Sequence, residues 1–229
     1  MTSSVRVLPF DADLNQEAHR ERSPSADTVV EAVIKHARAG QILYHENDAA
    51  PYCYQIITGA VKEYNSLKDG RRQVSEFYGP GDLFGVCELE HHSHTAEAIV
   101  DCTLKRFSRD AYLTKISASP DLSRQLLRTL MTRLHRARER LIMLGRMSAV
   151  QRLATFFLRL SNDQETRDDI RLAMSRQDIA DHLGLTIETV CRAITELKKK
   201  RIITMKTARL FAITDHDALS DIAAGRETN

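Results

Sequence analysis

Ser175-Arg176-Gln177-Asp178-Ile179-Ala180-Asp181-His182-Leu183-Gly184-Leu185-Thr186-Ile187-Glu188-Thr189-Val190-Cys191-Arg192 is the stretch on which the reading of this chain turns. Ser175 with Asp178 three residues on is a carboxylate variant of the capping box, and it predicts a helix start. Ile179, Ala180 and Leu183 form the inward stripe of that helix, and Ala180 is small enough for a second helix to cross closely. Gly184 supplies the positive φ that a tight turn needs. Thr186 is placed to cap a second helix, which buries Val190, Ala193, Ile194 and Leu197. Two helices joined by a short glycine turn form a helix-turn-helix, whose second helix can enter a DNA major groove N-terminus first.

On the second helix Ile187, Glu188, Cys191 and Arg192 fall on the outer, N-terminal side. Arg192 can donate twice to guanine O6 and N7, Glu188 can accept from cytosine N4, and Ile187 can meet a thymine methyl. Glu188 and Arg192 are also four residues apart, the spacing of a plain helix ion pair, which would pre-orient the arginine. Ser175, Thr186, Thr189, Lys198 and Lys199 are the candidates for phosphate contact. Residues 202–205 and 209–213 read as a hairpin, the wing of a winged helix.

Moving towards the N-terminus, Leu127, Leu130, Leu134, Ala137, Leu141 and Leu144 recur at steps of three and four, the a/d pattern of a coiled-coil seam. One narrow apolar stripe on a long helix points to a partner helix from a second copy; the alternative is packing on the chain's own N-terminal part. A further short helix is expected over 149–161, then an acidic loop from Asp163 to Asp169. Between Gly40 and Phe107 the period changes. Short apolar or alternating runs are separated by Asn47-Asp48, Thr58-Gly59, Lys68-Asp69-Gly70 and Gly79-Pro80-Gly81-Asp82, the mark of an antiparallel roll or sandwich. A short helix is expected from Val29 to Ala37.

The expected architecture is therefore α+β. It has a disordered extension (1–27), an antiparallel β-roll (28–118), a dimerisation helix (119–146), a winged helix-turn-helix (147–217) and an acidic tail (218–229). Charge follows the same division. Residues 1–119 carry 13 basic and 17 acidic side chains, residues 120–214 carry 19 and 10, and the rest carry 1 and 4. Positive charge gathered in one segment suits a phosphate-binding module, although a solvated basic helix surface gives the same count. No apolar run is long enough to cross a membrane, and the N-terminus lacks the apolar core of an export signal, so a cytoplasmic location is expected. The four cysteines, Cys53, Cys87, Cys102 and Cys191, form no close pair and read as free thiols.

The roll segment Gly79-Pro80-Gly81-Asp82-Leu83-Phe84-Gly85, together with the string from Asp178 to Arg192, resembles the Crp–Fnr family of bacterial regulators, and within it the FixK-like branch. The likeness covers roughly residues 40–215. It implies a homodimeric transcription activator that binds a TTGA-type inverted repeat, contacts RNA polymerase and serves microaerobic or nitrogen-fixation genes. It also implies base reading by Glu188 and Arg192, with Ile187 or Cys191 as the variable third reader. Three departures bear on effectors. Val86 follows Gly85, and His94-Thr95 stands where the cyclic-AMP receptor has an Arg-Ser pair, so the counter-charge for a cyclic phosphate is missing. No cysteine precedes Cys53, which removes the ligand cluster of an oxygen-labile iron–sulfur centre.

No cofactor or metal is therefore expected. His91, His92 and His94 match no metal spacing and read as a solvated loop, with a haem- or small-molecule-responsive regulator as the alternative. Cys87 and Cys102 are expected to pack within the roll. Cys191, beside Arg192, is a candidate redox-sensitive thiol, or simply a small residue filling a contact position. An enzyme is not expected, since no nucleophile–base set or phosphate-cradling loop is present. A cyclic-nucleotide module serving an enzyme is disfavoured by the complete reader.

Overall fold

In the computed structural model the described residues are 31–86, 88 and 90–226. Among the described residues eight strands form the N-terminal roll: β1 (Val33–Ala37), β2 (Ile42–Tyr44), β3 (Tyr52–Thr58), β4 (Val61–Ser66), β5 (Arg72–Tyr78), β6 (Leu83–Phe84), β7 (Thr95–Ala98) and β8 (Cys102–Ser108). They make two four-stranded antiparallel sheets, in the orders β1-β8-β3-β6 and β2-β7-β4-β5. The extension at 1–27 and Cys87 lie outside the described residues; Cys53 and Cys102 are buried in the roll. The helix expected from Val29 to Ala37 is instead strand β1 over its described part, with Val33 opposite Arg106 and Ala37 opposite Cys102. Its ladder partner, β8, is remote in sequence and invisible to a local reading. β-Branched Val33 and Ile34 suit an edge strand.

A helix not anticipated from the sequence, α1 (Arg109–Ser117), follows the roll; Ser108 caps it by accepting from the Ala111 amide at 3.4 Å. Tyr112 and Ile116, one turn apart, are buried beside Cys53, Leu83 and Phe107. Pro120, favourable in a first turn, opens the long helix α2 (Pro120–Arg146) behind the cap Ser119. One face of α2 looks at its own chain through Leu122, Leu126 and Met143. Its other face leaves Leu127, Leu130, Met131, Leu134, Leu141 and Ile142 exposed. Leu144, placed in the seam by its spacing, packs instead against the C-terminal core. A straight helix turns by about 20° per heptad against a strict 3.5 repeat, so the stripe drifts towards Met131 and Ile142.

The C-terminal unit comprises α3 (Ala149–Asp163), β9 (Ile170–Arg171), α4 (Arg176–Leu183), α5 (Ile187–Lys199), β10 (Ile203–Thr207), β11 (Leu210–Ile213) and α6 (His216–Ala223). Its three-stranded sheet has the order β10-β11-β9. Leu153, Phe157, Ile179, Leu183, Val190, Leu197, Phe211 and Leu219 share one core. The expected acidic tail from residue 218 is, as far as Ala223, part of α6. Leu219, Ile222 and Ala223 are buried, an i, i+3, i+4 stripe that the surrounding acids conceal.

The two units meet along β5 and α4. Lys62 Nζ reaches Asp178 Oδ1 at 2.7 Å, and Gln73 Nε2 donates to the Asp181 carbonyl at 2.7 Å. His182, 3% exposed, lies 3.1 Å from the Val74 carbonyl through Nδ1. Glu76 sits between Arg159 at 2.7 Å and Arg140 at 3.2 Å. Burial pushes the Glu76 carboxyl up, but Arg159 and Arg140 outweigh it and hold the group at about 2. Burial, helped by Arg140 and Arg159, pushes the His182 imidazole down to about 3 despite Glu76.

Both shifts destabilise the fold in acid. The released His182 takes up a proton near its ordinary 6.5 while the docked one does not, so stability is complete above pH 6.5 and falls as pH drops towards 3. Glu76 adds a second loss below its ordinary 4.5, continuing to about 2. Melting temperature is expected to decline already between pH 6.5 and 4.5, driven by about 1.4 kcal/mol per pH unit for one proton. His182→Leu should lower the plateau yet flatten that first limb. A first limb unchanged in the variant would acquit the histidine.

Candidate nucleic-acid interface

The reader is built from its caps. Ser175 Oγ accepts from the Asp178 amide at 3.1 Å, while Asp178 Oδ2 takes the Ser175 amide at 2.9 Å and its hydroxyl proton at 2.6 Å. Gly184 ends α4 with φ at +63°. The positive φ makes glycine the favoured residue there, and a Cβ would also sit close, 3.2 Å, to Leu144 Cδ2. Thr186 caps α5, its Oγ1 accepting from the Thr189 amide at 3.3 Å. Ile179, Ala180 and Leu183 of α4 and Val190, Ala193, Ile194 and Leu197 of α5 are all buried, which locks the two helices into one body.

The outward face of α5 carries exposed Ile187, Glu188, Cys191 and Arg192. Arg192 Nη2 donates to Thr189 Oγ1 at 3.2 Å, so the threonine holds the guanidinium in place of the i, i+4 partner expected of it. The Glu188 carboxyl lies below its ordinary range because its own backbone amide and Thr186 donate to it, with Arg192 a weaker neighbour. Lys198, Lys199 and Lys200 are exposed at the helix C-terminus. Behind the reading face a groove is lined by Arg176, Cys191, Thr195, Lys198, Met205 and Thr207, joining α5 to the β10–β11 wing. Arg176 was not singled out in the sequence, yet it reaches the wing through the Ala208 carbonyl at 3.3 Å. Ser175, one of the expected phosphate contacts, gives its hydroxyl proton to the cap carboxylate of Asp178.

A second residue escaped local reading. The Arg152 guanidinium donates to the Leu144 carbonyl at 2.8 Å, to Met147 at 3.0 Å and to Leu183 at 2.9 Å. It therefore ties the end of α2, the hinge and the end of α4 together, satisfying carbonyls that helix termini leave open.

The roll interior bears on effectors. Tyr44, Tyr54, Tyr78 and Phe84 fill it, their ring centroids 5.3–6.3 Å apart. Glu63, 6% exposed, lies among them and accepts from the Tyr44 and Tyr78 hydroxyls at 2.7 Å each. A carboxylate in this position repels a cyclic phosphate. The histidine loop is not simply solvated: His92 is 3% exposed and stacks on Tyr44 at 3.5 Å, while His94 bonds to Ser93. Among the described residues no three His, Cys, Asp or Glu side chains are grouped to hold a metal ion. A cleft of about 450 Å³ between roll, α2 and α3 is lined by Arg133, Arg136 and Arg159 together with Glu76, Asp82 and Asp163. Its opposite charges balance and select no ligand by sign.

Comparison with known proteins agrees with this layout. Residues 34–119 match the cyclic nucleotide-binding domain and residues 151–222 the Crp-like helix-turn-helix domain. Together they define a helix-turn-helix transcription regulator on a cyclic-nucleotide-binding roll. The nitrogen fixation regulation protein FixK of Rhizobium meliloti (strain 1021) is 42% identical over 185 residues, 81% of this chain and 84% of that one. The transcriptional activatory protein AadR of Rhodopseudomonas palustris is 34% identical over 88% of this chain and 84% of its own. The structure of FixK2 from Bradyrhizobium japonicum superposes with a TM-score of 0.81 at 33% identity, covering 87% of this chain and 100% of that chain. The chain belongs to the Crp–Fnr family of transcription regulators, in its FixK-like branch. No helix among the described residues is long and apolar enough to cross a membrane.

Proposed function

We propose that this regulator is an activator that binds, as a homodimer, an inverted repeat with TTGA-type half-sites and contacts RNA polymerase there. The observation that carries the reading is the bare row Ile187, Glu188, Cys191 and Arg192 on the leading turns of a capped α5. Arg192 and Glu188 address a G·C pair, and Ile187 and Cys191 contact neighbouring bases. Ser175, Thr186, Thr189, Lys198 and Lys199 engage phosphates, joined by Arg176. Likeness to FixK supports targets among nitrogen-fixation genes, and likeness to AadR supports activation; the proposed targets extend to microaerobic genes, read in the cytoplasm. The aromatic filling around Glu63 favours a roll that works without an effector over a haem or small-molecule sensor.

The test is a titration of labelled inverted-repeat DNA with purified protein and no added ligand. Tight binding that a scrambled repeat does not match supports the reading; equal binding to both overturns it. Cys191 adds a second expected outcome. Oxidising this exposed thiol to the sulfenic acid puts bulk and polarity against the bases. Peroxide is expected to weaken the complex by about tenfold or more, the worth of one good base contact, and Cys191→Ser should abolish that sensitivity. Peroxide inhibition persisting in the serine variant would place the redox effect elsewhere.

A further inference from the structure

The reader does not hang freely from the hinge. The Asp178 carboxylate is divided between two tasks: Oδ2 closes the cap of α4 with Ser175, and Oδ1 takes Lys62 Nζ from β4 at 2.7 Å. Lys62 and Asp178 are 7% and 8% exposed, and Lys62 is also 3.2 Å from Glu97. One turn further along α4, Gln73 donates to the Asp181 carbonyl at 2.7 Å and reaches that of His182 at 3.4 Å. The Phe77 ring lies 5.0 Å from the His182 ring and 6.2 Å from Phe156. Strands β4 and β5 thus hold α4 by polar contacts near both of its ends, with Phe77 packed on His182 at the C-terminal one.

Burying an ion pair costs about as much desolvation as the attraction returns, so such a pair contributes little net stability and chiefly fixes geometry. Here the geometry at stake is the angle of α5, because α4 and α5 move as one body. That angle decides how two reader helices in a dimer meet half-sites about one DNA turn apart.

We infer that β4 and β5 of the roll act as a seat for the reader, in which the Lys62–Asp178 pair and Gln73 are positioning residues that set the accepted spacing between half-sites. The inference rests on the DNA-binding reading above. It assigns the roll a task that needs no ligand: it orients α5 instead of sensing. Lys62 and Gln73 touch no base, so their loss spares recognition of one half-site and damages only the fit of two together.

The experiment uses full-length protein, wild type against Lys62→Met, on three duplexes: the inverted repeat, the same repeat with one base pair added at its centre, and a single half-site. Hydrogen exchange of the free proteins is followed in parallel. Lys62→Met is expected to bind the inverted repeat about tenfold more weakly, as the removal of a coupling between touching groups implies. Half-site affinity should stay within about twofold while discrimination between the two spacings shrinks, and amides of α4 and β5 should exchange faster. Lys62→Arg, which keeps the charge, should restore all three. Half-site and repeat affinities falling together, with spacing discrimination intact, would reduce the pair to ordinary structural support and overturn the seat. If wild type binds none of the duplexes, the DNA-binding reading is what fails. Exchange then decides alone: faster exchange confined to α4 and β5 supports the seat, and unchanged exchange refutes it.

Discussion

Arg192→Ala is expected to abolish the preference of this protein for its inverted repeat while leaving weak, salt-sensitive binding to any duplex. The side chain stands exposed on the leading part of α5 and is held by Thr189 at 3.2 Å, so little rotamer freedom remains to be lost when it meets a base. A bidentate arginine–guanine contact contributes about 1–3 kcal/mol of discrimination. A two-fold complex makes it twice, so the preference over scrambled DNA should fall by at least about thirtyfold. Stability should be untouched, because the residue is exposed and belongs to no core. Lys199→Ala is the contrasting control. It should weaken every sequence alike and flatten the salt dependence by about one unit of slope for each phosphate that the lysine no longer neutralises. Competition titrations at two salt concentrations separate the two behaviours, and an Arg192→Ala protein with its preference intact would remove α5 from the role of reader.

The reader was legible because its determinants are local. A capping serine with a carboxylate three residues on, a glycine at the turn and a second capping threonine all act within a few residues of themselves. The corresponding elements therefore stand where the pattern placed them. What escaped reading depends on residues far apart in the chain. Strand β1 exists because β8 pairs with it, and nothing near Val33 announces that partner. The burial of Leu219 and Ile222 of α6 in the C-terminal core was masked by the acidic residues around them. Leu144 fits the seam by spacing, yet it packs against the C-terminal core beside Gly184 of the α4–α5 turn, as the drift of a real helix allows. The interface between roll and reader is the extreme case: Lys62 and Asp178 are separated by 116 positions, and each alone is an unremarked charged residue. Functional chemistry followed the same rule. The exposed row proposed to face the bases could be read from one helix, but the groups proposed to set its angle could not.

Replacing Leu134 and Leu141 together by glutamate is expected to leave the fold of each chain intact and to take the proposed homodimer apart. Leu127, Met131, Leu134, Leu141 and Ile142 are 53–73% exposed along one side of α2, while the opposite side is occupied by the chain's own core. An apolar stripe of that length on a monomer marks an interaction surface, and in the proposed homodimer a second α2 across a two-fold axis would cover it with its own stripe. Each glutamate then faces its symmetry mate in a desolvated seam, where neither charge finds a partner. Sedimentation should show a monomer at concentrations where the wild type is dimeric. The second half-site would no longer be presented at high effective concentration, so affinity for the inverted repeat should fall by about a hundredfold or more, while affinity for one half-site is kept. The double variant remaining dimeric would mean that another surface joins the two chains; the spacing argument built on α2 would then have to be redrawn around that surface.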